Sequence, residues 1–239
     1  MKPGGKRYAA VAEHVDRHRF YETDEAMAVL KQTATANFDE AAEAVFRLNV
    51  NPRKNEHRIR STVALPHGTG KAVRVLAFAK GEAQQAAEAA GADHVGGEDL
   101  VEKIENEDWF EFDRVVATPD MMSVVGRLGR VLGPRGLMPS PKTGTVTPEI
   151  GPAVEELKAG KMEFRIDDYG QVHLLFGRAS FAPDQLVENF LALATAIIDE
   201  RPDDVRGRFL RRVTVSSTMG PGIKVDPDDV ARRVEERRL

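Results

Sequence analysis

The chain of 239 residues contains no cysteine. That absence excludes disulfides and thiol chemistry and suits a reducing compartment. Long apolar runs are missing too. The longest, FLALATAII from Phe190 to Ile198, is bounded by Asn189 and Asp199 and is much too short to cross a bilayer, so no membrane partner is expected. The first ten residues, MKPGGKRYAA, carry charge but no apolar stretch, and no secretory leader is expected. There is no internal repeat and no low-complexity segment. An excess of positive charge is also lacking: 34 Lys and Arg face 38 Asp and Glu, a net of −4, which on the sum argues mildly against nucleic acid.

What is present suits a soluble globule. Hydrophobic residues make up 41% and charged residues 30%, enough for one large or two ordinary domains. The distribution of charge says more than its sum. Residues 1–70 hold 11 basic and 9 acidic side chains, residues 71–160 hold 10 and 15, and residues 161–239 hold 13 and 14. The acidic middle third reads as a different unit from its flanks.

Catalytic motifs are missing where they are sought. LPHGTGKAV, Leu65 to Val73, has the look of a phosphate-gripping loop. A Walker loop would need glycine at Leu65, a hydroxyl at Ala72 and a helix afterwards. AVRVLAFA follows instead and reads as a strand, so a flexible glycine turn between two strands fits better. His14 and His18 share a helix face without a third ligand, a pattern of solvated side chains more than of a metal site. No G-x-S-x-G elbow occurs, and GRLGRVLGPRG misses dinucleotide-loop spacing. No catalytic residue, metal or cofactor is expected.

Periodicity sorts the chain into three textures. RYAAVAEHVDRHR and TDEAMAVLKQTA have helical spacing, the second with Thr23 as its N-cap. Strands EAVFRLNV and IRSTVAL follow, joined by the polar NPRKNEHR. From VRVLAFA to KAGK, strands and helices alternate as in a parallel sheet with covering helices, DMMSVVGRLGRVLG being one continuous helix. Then MEFRID and QVHLLFG form strands around Gly170. The long helix APDQLVENFLALATAIIDE, the strand FLRRVTVSS and a terminal helix DPDDVARRVEERRL complete the pattern. The simplest architecture is an α/β block inserted into an α+β domain made from both chain ends. The rival is two sequential domains.

Two loops stand out. Gly126 to Pro148 carries Arg127, Arg130, Arg135 and Lys142 and no acid; guanidiniums and backbone N–H groups suit phosphate oxygens, while a well-packed Pro/Gly loop with solvating charges fits equally. An α/β enzyme binding a phosphate ester there is the rival function, but it lacks an acid, base or nucleophile at useful spacing. A pure scaffold without RNA affinity is a third. SSTMGPG, Ser216 to Gly222, ends a strand with hydroxyls, a thioether and glycines. Such groups can meet ribose hydroxyls and base faces; a simple strand-ending turn is the alternative.

Together KRYAAVAEHVD, TATANFDEA, NPRK, LPHGTGKAVRVLAFAKGE, FDRVVATPDMMSVVGRLGRVLGPRGLMPSPKTGTV, AGKMEFRID and SSTMGPG resemble, in this order, the L-one family of large-subunit ribosomal proteins. The resemblance runs from about Lys6 to Val225. It implies an α+β domain built from both chain ends (1–67 and 160–239) with an inserted α/β three-layer Rossmann-like domain (68–159). The implied partners are a stalk of large-subunit rRNA, exit-site tRNA, the protein's own operon mRNA and other ribosomal components, in the cytoplasm, with a monomer when free. The implied rRNA contacts centre on Phe38, Thr218, Met219 and Gly220, with Arg53, Lys54, Arg165, His173 and Ser217 beside them. Arg127, Arg130, Arg135 and Lys142 are candidates for a second RNA or tRNA contact. Pro66, His67, Gly68, Gly70, Ala159 and Gly160 are candidates for a hinge. Two cations usual in the family are replaced, by Asn37 and by Asp168 in the turn DDYG. Thr218 is expected to spend its hydroxyl on RNA, so that valine there would leave the fold intact.

Overall fold

The computed structural model describes residues 5–238; Met1–Gly4, part of the segment for which no leader is expected, and Leu239, included in the expected terminal helix, lie outside them. In chain order the elements are α1 (Lys6–Ala12), α2 (Thr23–Thr33), β1 (Ala41–Leu48), β2 (Arg60–Ala64), β3 (Val75–Phe78), α3 (Glu82–Ala89), β4 (His94–Gly96), α4 (Glu98–Glu107) and β5 (Arg114–Ala117). After them come α5 (Met122–Val125), α6 (Gly129–Leu132), α7 (Ile150–Lys158), β6 (Lys161–Arg165), β7 (Gln171–Arg178), α8 (Pro183–Asp199), β8 (Leu210–Ser217), β9 (Ile223–Val225) and α9 (Pro227–Arg238). The chain divides into two units, one of residues 1–70 with 163–239 and one of residues 71–162. This is a mixed α/β protein with several sheets.

The first unit is built on an antiparallel sheet of order β7-β1-β8-β9. Its strands alternate as half-buried strands must. In β1, Ala42, Ala44, Phe46 and Leu48 are buried while Glu43 and Arg47 are exposed. α8 supplies the other side of this core. Pro183 opens it at a position that needs no N–H, and Gln185 accepts from the Ala182 N–H. Leu186, Phe190, Leu193, Ala194 and Ile197 form its apolar stripe. Phe190 lies 5.5 Å from Phe46 and 5.7 Å from Phe176, centroid to centroid.

The second unit has a parallel sheet of order β4-β3-β5. Every residue of β3 is buried, as in strands covered on both faces. Leu76 and Phe78 pack with Val101, Ile104, Met121 and Leu128. Val75 and Ala77 pack with Ala87, Ile150 and Val154.

Several sequence expectations are corrected. The first helix stops at Ala12 instead of reaching Arg19, because Asp16 takes the His18 N–H in a tight turn and the Tyr21 hydroxyl takes the Asp16 N–H. DMMSVVGRLGRVLG is not one helix: Pro119 to Leu132 alternates short α and 3-10 turns, with breaks at Gly126, Gly129 and Gly133. β4 and β9, three residues each, escaped the periodicity. Thr23 is not an N-cap either. Glu22 occupies that position, and Thr23 is the first helical residue.

The capping of α2 comes from the far end of the chain. The buried Asp229 carboxylate of α9 accepts from the Thr23 N–H at 2.9 Å and the Thr23 hydroxyl at 2.8 Å. Arg232 and Arg233 flank it, and Arg233 also grips Asp24 with both terminal nitrogens. Burial alone would raise the Asp229 pKa, but the Thr23, Arg232 and Arg233 interactions outweigh it and hold it below 3.8. The stabilisation is therefore full above about pH 4 and is lost as pH falls through the lower folded value. We predict that Asp229→Ala loses about 2–4 kcal/mol in urea unfolding at pH 7. The deficit should shrink as the titration is repeated below pH 4; a deficit constant with pH would contradict the capping role.

Candidate nucleic-acid interface

β1 and β8 run antiparallel with Ala42 opposite Ser217. The loop entering β1 and the turn leaving β8 therefore meet at one end of the sheet. Glu40 fixes them to each other. Its side chain is 1% exposed and accepts the Ala36 N–H at 2.7 Å on one oxygen, and the Met219 N–H and Ser217 hydroxyl, each at 2.8 Å, on the other. Arg7 approaches to 4.0 Å and also reaches Thr35 and the Met219 carbonyl. Burial pushes the carboxyl up, yet the three hydrogen bonds and Arg7 hold it below 4.5.

Over this frame stand Phe38, 54% exposed, and Met219, 48% exposed. Gly220 turns back so closely that a Cβ would lie 2.5 Å from the Ser217 hydroxyl and 3.3 Å from that of Thr33. The Thr218 hydroxyl accepts the Ala41 N–H at 2.9 Å, and the Thr218 N–H donates to the Ala41 carbonyl. The hydroxyl thus already has a partner inside the protein, its own hydrogen being left only a long 3.5 Å contact with the Ala41 carbonyl, and the expectation that valine there leaves the fold intact is corrected. Valine there removes the acceptor of a half-buried N–H.

The face of the sheet opposite α8 continues this surface. Register places His173, Val45, Thr214 and Lys224 in one row across the four strands, with Leu175, Glu43 and Ser216 in the next. His173 is exposed and lies 3.4 Å from Asp167. Arg165 is exposed on β6. Arg53 and Lys54 sit in the loop beyond the opposite end of β1, about 25 Å from Phe38 at roughly 3.3 Å per strand residue. Lys54 is committed to Asp204 at 2.9 Å, which also takes His57 at 2.7 Å. The structure thus gathers Phe38, Ser217, Thr218, Met219 and Gly220, places His173 on the adjoining face, and sets Arg53 and Lys54 apart.

In the second unit Arg127, Arg130, Arg135 and Lys142 are exposed, and none makes an ion pair among the described residues. Arg135 stacks on Phe110, 3.4 Å from its centroid. The loop carrying Lys142 is closed by its own hydroxyls. Thr145 accepts the Ser140 N–H, Thr143 donates to the Ser140 carbonyl, and Gly144 adopts φ 69°. Those hydroxyls are spent inside the loop.

The glycine stretch after Leu65 is held in place. Buried Asn189 of α8 takes the His67 N–H and donates to the Gly68 and Phe176 carbonyls. Gly68 and Gly70 have φ of 62° and 73°, and a Cβ on Gly70 would meet Arg178 at 2.6 Å. Gly160, after α7, has φ 105°.

A family model described as the Ribosomal protein L1p/L10e family matches residues 30–221. The chain belongs to that family. Membership makes it a structural protein of the large ribosomal subunit that binds rRNA. The match covers Phe38, Glu40, Ser217–Gly220 and the whole second unit, and leaves out α1, β9 and α9.

Glu40, Arg7 and Asn189 escaped the sequence reading. In TATANFDEA the glutamate reads as a solvated charge, and only its burial shows otherwise. Two variants test the frame. Glu40→Gln puts an amide donor where both oxygens accept, and should cost roughly 1–3 kcal/mol at pH 7. Because the Glu40 pKa is depressed, that cost should fade as pH drops below about 4.5. Thr218→Val should lower stability by roughly 1–3 kcal/mol, while Thr218→Ser retains it. Unfolding midpoints equal to wild type in both the glutamine and valine variants would show that the two loops are not joined this way.

Proposed function

We propose that this protein holds the rRNA stalk beside the tRNA exit site through the Phe38–Met219 end of its four-stranded sheet. The observation that carries the reading is the pairing of two exposed apolar side chains with a closed, hydrogen-bonded frame beneath them. An aromatic ring and a thioether held in fixed positions suit unstacked bases, while Ser216, Thr214 and Thr218 along the adjoining face suit ribose hydroxyls. His173, Arg165 and Arg53 add contacts farther along the domain, and Lys54 contributes once it exchanges Asp204 for phosphate.

In this reading the unit from both chain ends is the RNA-binding domain and the parallel-sheet unit is a Rossmann-like insert that needs no cofactor. The crossings at Gly70–Lys71 and Met162–Glu163, flanked by Pro66, His67, Gly68, Ala159 and Gly160, serve as a hinge. Arg127, Arg130, Arg135 and Lys142 touch tRNA or a second RNA segment, and the protein assists release of deacylated tRNA. The free monomer, in the cytoplasm, binds its own operon mRNA and represses its translation. No step requires catalysis.

The test is a salt series of binding titrations with a stalk rRNA fragment. Phe38→Ala should weaken binding about fivefold to a hundredfold, the equivalent of about 1–3 kcal/mol for one stacked base. The slope of affinity against salt should stay unchanged, since no phosphate contact is removed. Replacing Arg127, Arg130 and Lys142 together should leave this affinity intact. Wild-type affinity in the Phe38 variant would place the RNA elsewhere.

A further inference from the structure

The turn between β6 and β7 carries a feature that the Phe38–Met219 site does not use. Tyr169 is 80% exposed, more than Phe20, Phe38 or Met219. It stands at the tip of a turn that is locked from within. The Asp167 side chain takes both the Tyr169 and Gln171 N–H groups, at 2.9 and 2.7 Å. The backbone closes Asp167 to Gln171 and Gly170 to Asp167, and Gly170 has φ 78°. The Gly170 carbonyl then accepts the Leu48 N–H, tying the turn to the end of β1. A large ring with no hydrogen bond from its hydroxyl among the described residues is held out in water on a rigid support. The backbone's ordering cost is already met by the fold, so only the ring's own rotamers remain to be fixed on stacking.

The turn rims an open cleft of about 590 Å³ whose charged lining is Glu163, Arg165, Asp167, Asp168 and His173; Glu163 is paired with Arg60, and Asp167 with its own turn and His173. Arg165 and Asp168 make no side-chain hydrogen bond or ion pair among the described residues. Their charges are opposite. Arg165 suits a phosphate, while Asp168 beside the ring repels one and accepts hydrogen bonds from an amino-bearing base edge. A nucleotide with its base over the Tyr169 turn and its phosphate toward Arg165 satisfies both.

We propose that Tyr169 stacks on an unpaired nucleobase of the bound RNA, making this turn a second anchoring point at the opposite end of the sheet from Phe38. The proposal rests on the RNA-binding reading of the same domain. It gives the turn a role that its acidic residue denies to a simple phosphate clamp. It also defines the ligand as RNA with two unstacked bases separated by about the length of β1, some 25 Å at roughly 3.3 Å per residue.

The experiment uses the full-length protein and a stalk rRNA fragment, with Tyr169→Ala, Tyr169→Phe and Phe38→Ala titrated in parallel and melting temperatures as fold controls. Tyr169→Ala should weaken binding about fivefold to a hundredfold at every salt concentration, with the melting temperature unchanged. Tyr169→Phe should bind as wild type, since the ring and not the hydroxyl does the stacking. Wild-type affinity in Tyr169→Ala together with weakened binding in Phe38→Ala would overturn this proposal and leave the first site standing. Wild-type affinity in both alanine variants would overturn this proposal and the Phe38 site together, placing the RNA elsewhere on the protein, and failure of the wild-type protein to bind the fragment would overturn the RNA reading on which it rests. A loss in Tyr169→Phe equal to that in Tyr169→Ala would also overturn it, because the hydroxyl would then carry the contact.

Discussion

One buried carboxylate organises the candidate interface. Glu40 lies where two loops from distant parts of the sequence converge, and it gives each something to bond. A carboxylate in that position is unfavourable unless its lone pairs are filled. Here three donors and a nearby guanidinium fill them. The requirement works in reverse as well: the carboxylate dictates where the Ala36 and Met219 amides must point. Phe38 lies in the short loop between Ala36 and Glu40 that the Ala36 bond closes, and stands 54% exposed. Met219 donates its N–H to the same carboxylate, and Gly220 follows because any side chain there would strike Ser217 and Thr33. Two exposed apolar groups thus stand on loops that one acid ties together.

The frame depends in turn on α2, whose last residue, Thr33, backs onto Gly220. The first turn of α2 is held by Asp229 and Arg233 of α9, and β9 completes the sheet beside β8. The Tyr21 N–H and carbonyl bond to Lys224 and Asp226. Segments at the two chain ends, mostly outside the family match, therefore close on each other. They brace α2 at the end away from the interface, so the interface inherits its rigidity from residues that never approach it.

The strand textures were legible because each sheet imposes its own period. Half-buried β1 alternates, and β3, covered on both faces, does not. Helix ends were less legible, because neighbours decide them. Thr23 has the identity of an N-cap, yet it is the first helical residue and its N–H and hydroxyl donate to Asp229; no local pattern announces an acceptor 206 residues away. The Pro119–Leu132 run has helical spacing and keeps helical dihedrals through Gly126 and Gly129, but its hydrogen bonds alternate between α and 3-10 pattern, which spacing alone does not show. Within the candidate site, Phe38 and SSTMGPG are singled out by resemblance to a family, and the structure brings them to one end of the sheet. The residue that arranges them is not singled out, since acids in a loop usually face water. Thr218 was read for its chemistry without its neighbour, the Ala41 amide, which had the earlier claim on its oxygen.

The net charge of −4 is a poor guide to the partner for a related reason. Many carboxylates are engaged inside the protein: Asp229 and Asp24 with Arg233, Asp204 with Lys54, Asp113 with Lys71 and Arg74, Asp93 with Lys158. An acid and a base so paired largely cancel at distances beyond the Debye length, about 8 Å in physiological salt. Such pairing removes a base for each acid and leaves the sum of −4 unchanged, so what a polyanion meets depends on where the unpaired bases stand. Among the described residues Arg47, Arg53, Arg127, Arg130, Arg165 and Arg212 make no ion pair, and each is exposed. Arg47, Arg53, Arg165 and Arg212 belong to the domain that also presents Phe38, Met219 and Tyr169. In the proposed reading, recognition of RNA by such a surface needs few phosphate contacts, because stacking and hydroxyl pairing would supply the remainder. An acidic chain can then select its RNA without the indiscriminate attraction that a strongly basic one would exert.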